Sequence, residues 1–229
     1  MCSRFVSPNE LAFAAYLRRL PKRPLRRPQL PLSARYNVAP TTEVAVLRAA
    51  SRARELLAMR WGLIPFFDYG VPGPLSSINV RVDTLRTAPA YRGAWKRGQR
   101  CVVLAQGFYE WQVLPDGKQP WYIACANQPV FGFAGLWDSS TPDVGEDILS
   151  CTIITLPASP LMAKIHSTQR REPAILRAAD TETWLTGTEE EAFACLNSYP
   201  DELRTAWRVS TQVNSPDCDG PQLIEPIAA

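Results

Sequence analysis

A cysteine at position 2 has chemistry that no internal cysteine shares. Removal of Met1 leaves Cys2 with a free α-amine beside its thiol, titrating near about pH 8 and 8.5 respectively. Both can engage one aldehyde: the amine condenses to a Schiff base and the thiol closes a five-membered ring. Three further polar positions sit in apolar surroundings. Glu110 lies in GFYEW (107–111), where desolvation would raise its pKa into the range of a general acid–base; pairing with one of the many arginines is the alternative. His166 is the only histidine and follows LMAKI, so it is either a structural residue or a proton shuttle. Asn79 and Arg81 alternate with Ile78, Val80 and Val82 in SINVRVDT (77–84), which places both on one side of a strand. Such a pair holds an oxyanion or phosphate, or caps a turn.

The remaining cysteines, Cys101, Cys125, Cys151, Cys195 and Cys218, are scattered without a CxxC pair or a Cys/His cluster. That pattern argues against a disulfide framework and against a zinc site, and no metal or cofactor is expected. Cys101, Cys125 and Cys151 read as buried small hydrophobes, a description that Cys2 does not fit. GxSxG, P-loop, HExxH and Gly-rich dinucleotide signatures are all missing from the sequence.

The elements that must position these residues follow from periodicity. Residues 9–20 have helical spacing with Asn9 as N-cap, and the basic, Pro-rich 21–31 reads as an extended connector. Strands are expected at 43–50, 55–65, 99–111 (running into a Gly turn), 120–126, 129–137, 147–157 and 207–214. Short helices are expected at 159–166, 181–187 and 189–199. Many strands, few helices and no regular βα alternation predict an α+β fold, mainly an antiparallel β barrel or sandwich core with a few peripheral helices, as a single domain over 1–229. No run reaches the roughly 18 apolar residues that span a bilayer, and no signal-peptide core opens the chain, so an intracellular protein without membrane contact is expected.

Charge narrows the partner. Residues 1–110 hold 18 Lys/Arg against 6 Asp/Glu, and the rest hold 7 against 16, behind a net charge of only +3. A basic half of this size suits a polyanion such as nucleic acid.

In chain order, CSRF (2–5), RYNVAPT (35–41), RWGLIP (60–65), SINVRVDT, GFYEW, IH…RREPAIL (165–176) and VNSPDCDGPQLIEP (213–226) resemble the motifs of the SRAP family of abasic-site processing proteins, first named SOS-response-associated peptidases. The resemblance implies a monomer that binds single-stranded DNA containing abasic sites and acts in DNA repair. It implies that Cys2 forms a thiazolidine with the opened sugar, with lyase activity and self-removal of Met1 as associated reactions. By the same resemblance Asn79 positions the reacting groups and DNA, Glu110 promotes proton transfers, His166 assists ring opening or Schiff-base steps, and Arg4 and Arg81 hold phosphates. Phe66 and Phe67 stand where relatives place aromatic wedges. As adjacent strand residues they could not both face a core. Ser3 replaces the family's Gly, Asp83 its Glu, and Glu172 its Met; the six residues between His166 and Pro173 exceed the usual spacing. Two other functional readings stand beside this one: a thiol-dependent peptidase built on Cys2, Glu110 and His166, and a non-catalytic single-strand DNA binder.

Overall fold

The computed structural model describes residues 2–27, 32–73, 75–126, 128–166 and 168–227. In chain order the elements are β1 (Arg4–Val6), α1 (Glu10–Leu17), β2 (Leu25–Arg26), β3 (Glu43–Ala50), β4 (Ala53–Trp61), β5 (Asn79–Arg81), α2 (Pro89–Lys96), β6 (Arg100–Ala105), β7 (Gly107–Leu114), β8 (Gly117–Cys125), β9 (Phe131–Ser140) and β10 (Ile148–Pro157). Then come α3 (Pro160–Ile165), β11 (Arg171–Pro173), β12 (Ile175–Leu176), α4 (Thr181–Thr186), α5 (Glu189–Ala194) and β13 (Arg204–Arg208).

The strands form a four-stranded sheet, β1-β7-β8-β13, and a nine-stranded sheet whose main path is β11-β10-β4-β3-β6-β9-β12. β10 also pairs with β9, so the larger sheet curls strongly, and the two sheets make a sandwich-like α+β fold with short helices around it. Among the described residues no helix is long and apolar enough to cross a membrane.

Between the sheets lies a cluster that includes Cys2, Phe5, Trp61, Phe108, Phe133, Cys151 and Ile153. Phe5 meets Trp61 and Phe133 edge-on, with centroids 5.1 and 6.0 Å apart. Edge-to-face aromatic pairs contribute beyond their buried area, and here they fix β1, hence the residues just before it. A second cluster, including Phe13, Trp95 and Trp184, lies under the helices.

The expected α1 forms, with Asn9 accepting the Ala12 N–H at 2.9 Å, and residues 28–31 of the Pro-rich connector lie outside the described residues. Three expectations are corrected. The run 99–111 is two strands in different sheets, β6 and β7, broken at Gln106. Continuous hydrophobicity marks burial and cannot report a change of sheet. Gly107 is required at the break because a Cβ there would lie 2.2 Å from the Tyr122 ring. The strand expected at 207–214 is displaced: Arg204–Arg208 pairs with β8, and Thr211–Asn214 is a 3-10 turn capped by Ser210. The strand expected to reach residue 65 ends at Trp61, where Gly62 takes φ 130°, a region that L side chains avoid. Consequently Phe66 and Phe67 lie not on a strand but in a 3-10 turn, Phe66–Asp68. Both rings are exposed, as expected, but the turn exposes them rather than strand alternation.

Candidate active site

Register delivers Cys2 to Glu110. β1 runs antiparallel to β7 with Arg4 opposite Tyr109 and Phe5 opposite Phe108. Extended by one step, the same register sets Ser3 against Glu110. Glu110 sits within β7 rather than at a strand end, and it is 2% exposed. Burial pushes its carboxyl up to about 7, the desolvation effect expected for a carboxyl among aromatics. Its Oε2 lies 3.7 Å from His166 Nδ1.

Cys2 is also fully buried, contrary to the contrast drawn from sequence with the core cysteines. Burial, then the neighbouring Glu110 charge, raise its thiol well above the ordinary range. Its carbonyl accepts a 2.8 Å hydrogen bond from Asn79 Nδ2. Asn79 is held by β5, which pairs in parallel with β10 at Ile153. Arg81 does not share its environment: Asn79 is buried, whereas Arg81 is exposed and paired with Asp83, and Asp83 also meets Arg171 Nη1 at 3.4 Å. The strand is only Asn79–Arg81, and the chain turns immediately after Arg81, so the longer alternation expected over 77–84 does not form.

His166 is the C-cap of α3 and is 6% exposed, and burial lowers its pKa. Its Nδ1 lies 3.1 Å from the Arg171 carbonyl. A carbonyl only accepts, so this contact assigns the proton to Nδ1 and leaves Nε2 as a lone pair. The helix carrying it is anchored by a network that the sequence did not reveal. Glu172 and Arg204 form a buried bidentate pair, 2.9 Å at both contacts. Glu172 Oε2 also accepts the Ser159 N–H at 2.9 Å, and Asp201 accepts from Ser159 Oγ and from the Leu161 N–H. Burial alone would raise the Glu172 carboxyl; Arg204, Ser198 and the Ser159 amide outweigh it and hold it low. The substitution of Glu for Met at 172 was the one visible signal, but its partner lies 32 residues away.

A cavity of about 370 Å³ opens over the site, lined by Ser3, Arg4, Glu110, Trp111 and His166 among others. Thr168 and Gln169, from the lengthened segment after His166, form part of its wall. Arg4 is committed to structure: it donates to Asn37 Oδ1 at 2.8 Å and to the Val213 carbonyl at 3.2 Å. Trp111 Nε1 donates to Asn214 Oδ1 at 2.7 Å, so the Thr211–Asn214 turn supports the same wall. Phe66 and Phe67 stand apart from this cavity as an exposed edge-on pair, centroids 5.3 Å apart. Thus contacts link Asn79 to Cys2 and Glu110 to His166; Glu110, His166 and Arg4 line the cavity, whereas the buried Cys2 and Asn79, the exposed Arg81 and the two phenylalanines are not part of its lining. Among the described residues no cluster of three or more His, Cys, Asp or Glu is arranged to hold a metal.

Comparison with known proteins identifies the family. A family model described as SOS response associated peptidase (SRAP) matches residues 1–216. The abasic site processing protein YoqW of Bacillus subtilis is 34% identical over 194 residues, covering 83% of this chain and 85% of its own. The abasic site processing protein YedK of Escherichia coli is 31% identical over 84% of this chain and 85% of its own, and HMCES of Gallus gallus is 36% identical over 78% of this chain and 60% of its own. A solved structure from Bordetella bronchiseptica superposes with TM-score 0.76 at 25% identity, covering 91% of this chain and all of that one.

Proposed function

Because this chain belongs to the SRAP family, we propose that it processes abasic sites in DNA, capturing them covalently in single strands through Cys2 after Met1 is removed. The observation that supports the reading is that Asn79 holds the buried Cys2 backbone while Glu110 and His166, 3.7 Å apart, line a polar cavity next to Ser3 and Arg4. An abasic sugar in its open form presents an aldehyde. The Cys2 α-amine adds to that carbonyl and water leaves, giving a Schiff base. The thiol then adds across the C=N bond: sulfur bonds to the former aldehyde carbon, and the thiol proton ends on nitrogen, closing a thiazolidine.

The raised thiol pKa is compatible with this order, because the amine attacks first and no preformed thiolate is required. With a pKa of about 7, Glu110 is present in both forms at neutral pH. Its acid form donates to the departing hydroxyl, and the resulting carboxylate takes the thiol proton and relays it to the Schiff-base nitrogen as the ring closes. His166, with Nε2 as acceptor, assists opening of the sugar ring. Asn79 fixes the Cys2 backbone, limiting the geometries that amine and thiol must search.

The test is intact mass spectrometry with abasic single-stranded DNA. The expected result is loss of one Met and gain of one oligonucleotide, abolished in Cys2→Ala while non-covalent binding persists. A crosslink formed by Cys2→Ala would refute the assignment.

A further inference from the structure

The exposed rings of Phe66 and Phe67 stand on a turn that is braced from behind. Asp138, at the end of β9 and 2% exposed, accepts the Phe66 N–H at 3.1 Å through Oδ2. Its Oδ1 accepts the Ser139 N–H at 3.0 Å, and Arg97 Nη2 reaches both oxygens at 3.0 Å. Arg97 is further fixed by Gln99 Oε1 at 2.6 Å, and its guanidinium lies over the Phe66 ring, 4.7 Å from the centroid. Two residues later in β9, Ser140 Oγ accepts the Gly70 N–H at 2.8 Å, pinning the far side of the turn. Gly93 leaves room for this stack: a Cβ there would lie 3.1 Å from Arg97 Nη1 and 3.7 Å from Phe66. One buried carboxylate therefore sets both the backbone and one face of an exposed aromatic ring.

We propose that Asp138 and Arg97 are positioning residues that hold Phe66 as a rigid stacking platform for a base beside the lesion. This rests on the function proposed above. An aromatic ring contributes to base stacking only if it need not be ordered on binding, since immobilising a side chain at that moment diminishes the gain. A buried carboxylate holding both a cation against one ring face and the backbone beneath that ring removes that cost in advance. With Phe66 52% exposed, ring surface remains for a base, and the guanidinium adds positive charge near the strand.

The experiment measures non-covalent binding in a Cys2→Ala background to single-stranded DNA carrying a stable abasic analogue. Asp138→Asn and Arg97→Met should each raise Kd about tenfold. Combined with Phe66→Ala, Asp138→Asn should add less than about twofold to the loss caused by Phe66→Ala alone, a non-additivity that general destabilisation would not produce. The covalent reaction of the single variants at saturating DNA should keep its limiting rate while half-saturation rises. Unchanged Kd in folded Asp138→Asn and Arg97→Met, or fully additive losses with Phe66→Ala, would overturn the inference. If the protein with Cys2 intact neither binds nor crosslinks abasic DNA, the proposed function falls; if it does and the variants match it, only the positioning role falls.

Discussion

Replacing Glu110 by Gln should stabilise the protein at alkaline pH while damaging its chemistry. The carboxyl moves from an ordinary 4.5 to about 7 on folding because burial disfavours its charge. A raised carboxylate pKa means that the folded state binds the proton more tightly than the unfolded chain. The resulting cost is absent well below pH 4.5, grows as pH rises, and is complete above pH 7. A shift of this size corresponds to about 3 kcal/mol at 1.36 kcal/mol per unit, of which about 2.5 kcal/mol accrues between pH 5 and 8. His166 works in the opposite direction: its lowered pKa costs stability as pH falls below its ordinary 6.5. Wild-type stability alone therefore mixes two signs, and the difference between wild type and Glu110→Gln separates them. Urea unfolding at pH 5, 6, 7 and 8, on protein with a mass-verified N-terminus, should show Glu110→Gln gaining about 2–3 kcal/mol relative to wild type across the range. Crosslinking to abasic DNA should simultaneously lose its dependence on a group titrating near 7. A stability difference that stays flat from pH 5 to 8 would refute the claim that burial of an ionisable carboxylate at 110 weakens the fold.

The anchoring network and the Cys2 contact give two more expectations. Glu172→Gln removes the bidentate carboxylate from buried Arg204, leaving it the more distant Asp201 carboxylate at 3.6 Å, which should cost about 3 kcal/mol; in a chain of this size that lowers Tm by about 10 °C, read by thermal unfolding. Asn79→Ala removes one hydrogen bond to the Cys2 carbonyl. Its net worth of about 1 kcal/mol should slow adduct formation roughly fivefold to tenfold, while Kd for the abasic analogue in a Cys2→Ala background stays within twofold.

What sequence made legible depended on whether the signal was local. Glu110 could be identified because its neighbours on both sides are aromatic, and the desolvation inferred from them is the cause of its raised pKa. The Asn9 cap and the helix 160–165 were readable because caps and helical spacing are properties of a few adjacent residues. The division of 99–111 was not, since residues on both sides of Gln106 are equally buried and differ only in which sheet they join. Glu172–Arg204 and Asp138–Arg97 escaped for a related reason: each joins residues 32 or 41 positions apart, and no spacing rule connects them.

The same distinction explains where the structure sharpened the reading of Cys2. The proposed reactivity requires the free α-amine that removal of Met1 would expose, but the placement of Cys2 comes from residues elsewhere. Phe5 is wedged against Trp61 and Phe133 to fix β1, the β1–β7 register brings Glu110 alongside, and Asn79 holds the carbonyl from a strand in the other sheet. This makes the cysteine as buried as those of the core, so exposure could not have distinguished it from Cys101 or Cys151. The difference is the polar company: Cys101 and Cys151 lie among apolar strands, whereas Cys2 is surrounded by an amide, a carboxyl near neutrality and, through that carboxyl, an imidazole. Burial that merely shields a thiol in the core here also raises the carboxyl beside it, which is why the stability cost at Glu110 and the proposed chemistry at Cys2 should be lost together when that carboxyl is replaced.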